Sequence, residues 1–125
     1  MKSIKLFWIP ALALISMQAF GYGSSSSAKA CTKPHFSEFV PADKAEVAPQ
    51  ATFSFLASSA TNPKTIKVDI KKRPIEIKIS PKGQGYQVSG TLPGDLKGTT
   101  ARINITAESP SNCKANDGWL IKISG

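Results

Sequence analysis

The residues of this chain that could do chemistry begin with a cysteine and a histidine four positions apart, in CTKPHFSEFV at 31–40. A thiolate and an imidazole are typical metal ligands, but a structural site needs two more donors. The nearest acids, Glu38 and Asp43, complement such a pair poorly. His35 is the only histidine of the chain. We therefore interpret it as an ordinary strand residue and expect no metal site with Cys31.

Catalytic groups are equally sparse. Hydrolysis requires a nucleophile, a base and an orienting acid, and the chain has one histidine and no G-x-S-x-G motif. Paired carboxylates are the remaining option, with Asp69 and Glu76 as the acids that neighbouring strands would bring together. Both alternate with lysines, which favours cross-strand charge pairs over an acid–base pair. We predict no catalytic residue, no cofactor and no enzymatic activity.

The N-terminus has the pattern of a cleaved secretory signal, because a basic start is followed by an apolar run and then by small residues. The run is shorter than the about 20 residues that span a bilayer, so we expect no transmembrane segment after cleavage. Cleavage after Gly21 is favoured. Cleavage after Ala30 would expose Cys31 as the N-terminus, but the preceding SAKA lacks the leucine of a lipoprotein signal. The predicted organisation is a leader at 1–21, a Ser-rich linker at 22–30 and one domain at 31–125.

Cys31 and Cys113 are the only cysteines. In a secreted chain such a pair indicates a disulfide, since the compartment is oxidising. Closing a loop of about 80 residues constrains the unfolded chain by about 4 kcal/mol. We therefore predict a disulfide that fastens the first strand to the loop before the last one.

The charge of the chain is strongly positive. Lysine and arginine number 16 against 8 acids, and loss of Lys2 and Lys5 with the leader leaves a net charge of +6. This balance favours anionic partners, either an unknown protein or an anionic envelope polymer, and no nucleic-acid motif accompanies it. The candidate contacts gather on two predicted adjacent strands and their turn: Lys64, Lys67, Lys71, Lys72, Arg73 and Lys78. At a sheet edge the same lysines would discourage aggregation, which is the alternative use of this charge.

Alternation of apolar and polar residues dominates the domain. We predict seven strands, within 35–40, 51–57, 65–71, 75–80, 86–92, 100–107 and 119–124. ADKAEVA at 42–48 lies between two prolines and is at most one helical turn. NDG at 116–118 is interpreted as a turn before the last strand and not as a calcium loop. Seven short strands favour an antiparallel sandwich, with a barrel as the alternative.

Two phrases resemble the bacterial immunoglobulin-like and fibronectin-type-III-like domains of the cell envelope. They are FSEFVPADKAEVAPQATFSF at 36–55 and LPGDLKGTTARINITA at 92–107. The resemblance implies a seven-stranded immunoglobulin-like sandwich. Two features depart from the family pattern: Arg102 stands where the fibronectin-like pattern has a corner tyrosine, and the inter-sheet cysteine pair around a tryptophan is missing. The resemblance therefore supports a diverged relative.

The first phrase is also similar to the start of the periplasmic copper carriers of this fold. That family binds copper(II) through two histidines and an acid, and often copper(I) through methionines. Here His35 is alone, and Met1 and Met17 both fall in the leader, so the ligand set is missing. The leading hypothesis is a non-catalytic secreted or periplasmic binding module that acts on a macromolecular partner. The alternatives are a basic polyanion- or envelope-surface-binding protein and a small-ligand or metal carrier.

Overall fold

A computed structural model describes residues 31–125 of this protein. Their strands form two sheets, each of which buries the apolar residues that alternate along its strands. The predicted leader at 1–21, the linker at 22–30 and both predicted cleavage sites lie outside the described residues. Thr32–Gly125 form one unit. Within the described part of the chain, no helix has the length and apolarity that a membrane span requires.

Nine strands form the two sheets of the described region. They are β1 (Phe36–Val40), β2 (Ala45–Val47), β3 (Thr52–Ala57), β4 (Lys67–Ile70), β5 (Arg73–Ile75), β6 (Ile77–Lys82), β7 (Gly85–Thr91), β8 (Thr100–Glu108) and β9 (Lys114–Ile123). The first sheet has the order β1-β3-β7-β6 and the second β2-β9-β8-β4-β5. Two short 3-10 helices, Pro63–Thr65 and Gly94–Leu96, lie in the connections. The sheets do not close into a barrel, so the predicted sandwich is confirmed. It has nine strands and not the predicted seven, and one pair, β2 with β9, is parallel.

The core lies between the sheets and is built from every second residue of the central strands. Phe53 and Phe55 of β3 face Ile103 of β8, and all three are buried. Trp119 of β9 packs edge-on against both phenylalanines, with ring centroids 6.2 and 6.1 Å away. Its indole Nε1 donates to the carbonyl of Pro41 at 2.7 Å. The predicted alternation of apolar and polar residues thus places the apolar side chains of these strands in the core, because successive residues of a strand point to opposite faces.

The segment at 42–48, for which the sequence predicts at most one helical turn, contains a strand instead. Ala45–Val47 form β2, which runs parallel to Ile121–Ile123. The turn before β2 is held by Leu120, whose N–H donates to Asp43 Oδ1 at 2.9 Å. The edge of β9, 76 residues further along the chain, offers backbone partners that the local sequence does not reveal.

The predicted turn at NDG is wrong, because Asn116–Gly118 lie within β9. β8 is nine residues long, and β9 pairs with it from end to end because β9 begins at Lys114. The connecting turn lies earlier, where the Cys113 N–H donates to Ser109 Oγ at 3.0 Å. A glycine is required in the strand at 118, since a Cβ there would lie 2.5 Å from the carbonyl oxygen of Ile103.

The predicted disulfide between Cys31 and Cys113 is confirmed. Cys113 lies directly before β9, outside the strands, as expected. The segment after Cys31 is also held by Ser58: the His35 N–H donates to Ser58 Oγ at 2.9 Å, and the Ser58 N–H donates to the His35 carbonyl at 2.8 Å. The start of the first strand is therefore fixed both covalently and by hydrogen bonds.

Candidate interaction surface

All six basic residues predicted to contact an anionic partner are exposed. They are distributed as follows: Lys64 in the first 3-10 helix, Lys67 in β4, Lys71 and Lys72 in the β4–β5 turn, Arg73 in β5 and Lys78 in β6. The prediction that the strands at 65–71 and 75–80 lie side by side in one sheet is wrong for the strand at 75–80. That strand divides, and its second half joins the other sheet.

The division falls at Glu76, where the chain crosses from one sheet to the other. β5 pairs with β4 at the edge of the second sheet, and β6 pairs with β7 at the edge of the first. Ile75 and Ile77, on either side of Glu76, both pack against the core. Gly90, the partner of Ile77, leaves room for the crossing, because a Cβ there would lie 2.6 Å from the Phe53 ring and 3.1 Å from the Glu76 carbonyl oxygen. A single run of chain thus forms the edges of both sheets on this side.

We call this run, residues 71–82, the basic margin. It begins with a two-residue turn, because Ile70 and Arg73 are paired across Lys71 and Lys72. The two lysines have φ angles of 51° and 66°, the left-handed values that a type I′ hairpin turn requires and that Asn-Gly adopts most easily. A non-glycine residue in this region costs about 1–2 kcal/mol. Two ammonium groups therefore occupy the tip at a cost in stability.

Arg73, next to the tip, is already paired. Its Nη1 and Nη2 donate to Oδ2 and Oδ1 of Asp95 at 3.1 and 2.9 Å. The hydrogen bond from Arg73 lowers the pKa of the Asp95 carboxyl, and the same contact raises the pKa of the guanidinium. Asp95 lies in the second 3-10 helix, beside the buried Leu96. Arg73 thus anchors the start of β5, a role that the sequence pattern did not reveal.

Asp69 belongs to a polar network on the outer face of the second sheet. Its Oδ2 accepts from Asn104 Nδ2 at 3.2 Å, and Asn104 Oδ1 accepts from Arg102 Nε at 3.0 Å. In residues 31–125 the arginine–aspartate pair described above is the only ion pair within 4.0 Å. The predicted charge pairs of Asp69 and Glu76 with neighbouring lysines are therefore wrong. The lysines of the basic margin have no carboxylate at ion-pair distance.

β6 presents an open edge. It pairs with β7 over its whole length without a register shift, and it is the last strand of its sheet. Ile79 faces the same side as Ile77 and is 38% exposed, because β5 in the facing sheet ends at Ile75. The opposite face of β6 carries Lys78, Ser80 and Lys82, all of them exposed.

Open grooves flank the crossing segment. The larger, of about 640 Å³, is lined by Ile77 and Lys78 together with Ser89 and Thr91. The smaller, of about 280 Å³, also contacts Ile77 but lies on the β4 side. Apolar side chains therefore form part of a surface whose charged groups are mostly cationic.

The Cys31 and His35 pair from the start of the domain does not form a site. Cys31 is in the disulfide, and His35 is exposed beside Ser58. No three His, Cys, Asp or Glu side chains come together as metal ligands anywhere in the described part of the chain. The expectation that the protein binds no metal stays a prediction.

Comparison with known proteins shows the fold. No family model and no curated protein matches the chain. PcoC, a methionine-rich copper resistance protein from Escherichia coli, is 17% identical over 74% of this chain and 100% of its own, with a TM-score of 0.53. CopC from Methylosinus trichosporium OB3b is 9% identical over 73% and 93% of the two chains, with a TM-score of 0.56. A Siglec domain of GspB is 14% identical over 74% and 57%, with a TM-score of 0.53.

These similarities define the protein as an immunoglobulin-like β-sandwich, in agreement with the strand order of its two sheets. Its fold is distantly similar to that of PcoC and CopC. At such identities the likeness extends to the fold alone, and function has to be argued from the surface of this chain.

Proposed function

We propose that this chain is a non-catalytic binding module of the secreted or periplasmic space, and that its basic margin holds an anionic macromolecular partner. One observation carries the proposal. Lys71 and Lys72 both take a left-handed backbone at the tip of a two-residue turn, without a carboxylate at ion-pair distance.

The two lysines at the tip lower the stability of the fold more than the turn itself requires. Asn-Gly would form the same turn with much less left-handed strain, and it would remove the repulsion between two adjacent ammonium groups. Strain of this kind is found where function requires a particular side chain at a particular place. Since salt screens charges beyond about 8 Å under physiological conditions, an anionic group would have to approach the tip closely. The arrangement suits direct contact rather than long-range attraction.

The compartment and the lack of catalysis have separate support. A disulfide such as Cys31–Cys113 persists in oxidising compartments, which fits the predicted leader. Both cysteines are thereby unavailable as nucleophiles. The one histidine lies exposed just before β1, and the described residues hold no cluster of three His, Cys, Asp or Glu side chains. These facts favour a module that binds without converting its partner.

The test replaces the tip by the pair that the turn prefers. The full chain, produced with its own leader, carries Lys71→Asn with Lys72→Gly in one variant and Lys44→Asn with Lys122→Gln in the control. The control removes the same charge elsewhere and also relieves one left-handed lysine, since Lys44 has a φ of 69°. Retention on immobilised heparin, used as a polyanionic probe, is measured against salt concentration.

We expect the tip variant to elute at clearly lower salt than the control, while its free energy of unfolding rises by about 1–2 kcal/mol through relief of strain. Loss of binding combined with a gain in stability would be difficult to explain by damage to the fold. Equal elution of both variants would contradict a site at the tip. Net charge alone would then determine binding, and a general polyanion-binding protein would be the better description.

A further inference from the structure

The four edge strands of the sandwich differ in how open they are. β1 carries an irregularity between Ser37 and Val40, where its register against β3 shifts, and a bulge of this kind protects an edge. β2 and β5 are three residues long. β6 is six residues long and regular throughout. Pro81 lacks an amide N–H and limits pairing near the end of β6, so residues 77–80 are the edge segment of the described strands best suited to accept another strand.

The side chains of β6 specify what such a strand would contain. Ile77 and Ile79 lie on the core side and are incompletely covered. Lys78 and Lys82 lie on the opposite side, together with Ser80. A strand added alongside would place alternate side chains on these two faces. Apolar side chains would cover the isoleucines, and acidic side chains would lie beside the lysines.

We infer that the basic margin binds an extended, acidic segment of a partner protein as an additional β-strand on the open edge of β6. The segment has apolar residues at every second position and acidic residues between them. This inference rests on the proposed function and names the class of partner. Backbone hydrogen bonds supply much of the affinity in this mode of recognition, and the alternating side chains supply specificity.

The same lysines also explain why β6 does not pair with a copy of itself. Two β6 strands side by side would bring Lys78 and Lys82 of one chain close to those of the other, and like charges across a strand pair are unfavourable. An acidic segment reverses the sign of that interaction. The same two lysines would then both prevent pairing of β6 with a copy of itself and select an acidic partner. Glu76, just before β6, disfavours an acidic residue at that end of the added strand.

The test uses capped synthetic peptides and the full chain. The probe peptide alternates valine and glutamate, and three controls accompany it: alternating valine and lysine, glutamate alone, and the probe peptide with N-methyl groups along one edge. N-methylation keeps the side chains and charge but removes backbone donors, so it blocks strand addition on that edge. Binding is followed by amide chemical shifts of residues 77–80 and Lys82, since Pro81 has no amide N–H, and by protection of these amides from hydrogen exchange.

We expect the valine–glutamate peptide to bind with shifts confined to β6 and its neighbours. N-methylation and the variant Ile79→Lys should each weaken binding by roughly tenfold or more, and the valine–lysine peptide should not bind. Ile79 is partly exposed, so this variant should fold, and the N-methylated peptide tests the same point without changing the protein.

Two outcomes would overturn the inference. If glutamate alone binds as well as the alternating peptide, the margin recognises charge without strand pairing. If no peptide binds but heparin retention still depends on Lys71 and Lys72, the strand site is refuted and the proposed function stands. Failure of both experiments would refute the two proposals together.

Discussion

Removal of the disulfide should lower the stability of this domain by a predictable amount. The bond closes a loop of about 80 residues, for which the chain-entropy relation gives about 4 kcal/mol. Cys31 is exposed, and the segment after it is held by the buried Pro34 and by two hydrogen bonds between His35 and Ser58, one of them to the Ser58 hydroxyl. Most of the effect should therefore arise in the unfolded chain. For a domain near 100 residues this corresponds to a fall in Tm of about 16–32 °C.

The assay is urea unfolding of the variant with Cys31→Ser and Cys113→Ser, followed by fluorescence of Trp119. That residue is the only tryptophan outside the predicted leader, and it is 3% exposed in the core, so its emission should change on unfolding. The wild-type protein, reduced and alkylated under denaturing conditions before refolding, is the matched control. Both should show a midpoint shifted to lower urea, and their near-native spectra should confirm that the sandwich still forms.

A loss below about 1 kcal/mol would refute the loop-entropy reasoning, because no native contact is expected to compensate for the released loop. A loss far above 5 kcal/mol would contradict it in the other direction. That result would mean that β1 detaches when the bond is absent. Hydrogen exchange of the β1 amides distinguishes these cases, since a detached strand exchanges at the rate of a mobile segment.

Three further predictions concern Gly118, Asp95 and copper binding. Gly118→Ala should cost about 1–3 kcal/mol, because its Cβ would approach the backbone of β8, whereas Gly125→Ala should be silent; equal urea midpoints for the two would contradict the position of Gly118 inside a strand. Asp95→Asn should lower Tm at neutral pH, and the difference from the wild type should shrink as the pH falls below the ordinary aspartate range. The folded pKa of Asp95 is lowered by Arg73, so its contribution is present above the ordinary aspartate pKa and is lost as pH falls through the folded value. Equilibrium dialysis should detect no stoichiometric copper(II) binding, and submicromolar binding would overturn the non-metal interpretation.

The lysine tip and the disulfide have opposite effects on stability. The tip destabilises the fold by keeping two residues in an unfavourable backbone region. The covalent link to the N-terminal segment constrains the unfolded chain and offsets such a cost. A stabilised scaffold that carries a strained surface feature is the pattern expected when that feature is retained for binding.

Part of this architecture follows from the sequence alone. The period of two in TFSFLA or TARINITAE determines which side chains enter the core, since adjacent residues of a strand must point to opposite faces. A pair of cysteines in a chain with a predicted leader leaves one disulfide to form. These inferences need only local pattern or simple counting, and the structure agrees with them.

Other features depend on partners that are distant in the chain. The segment at 45–47 is a strand because β9 offers it an edge, and NDG is extended because the long strand β8 needs a partner. The Ile-rich run divides at Glu76 because Ile75 and Ile77, on either side of it, both pack against the core. Arg73 lies 22 residues from the aspartate that it binds. Only the tertiary structure brings such groups together, so only it decides which lysines are left unpaired and which strand edge is left open.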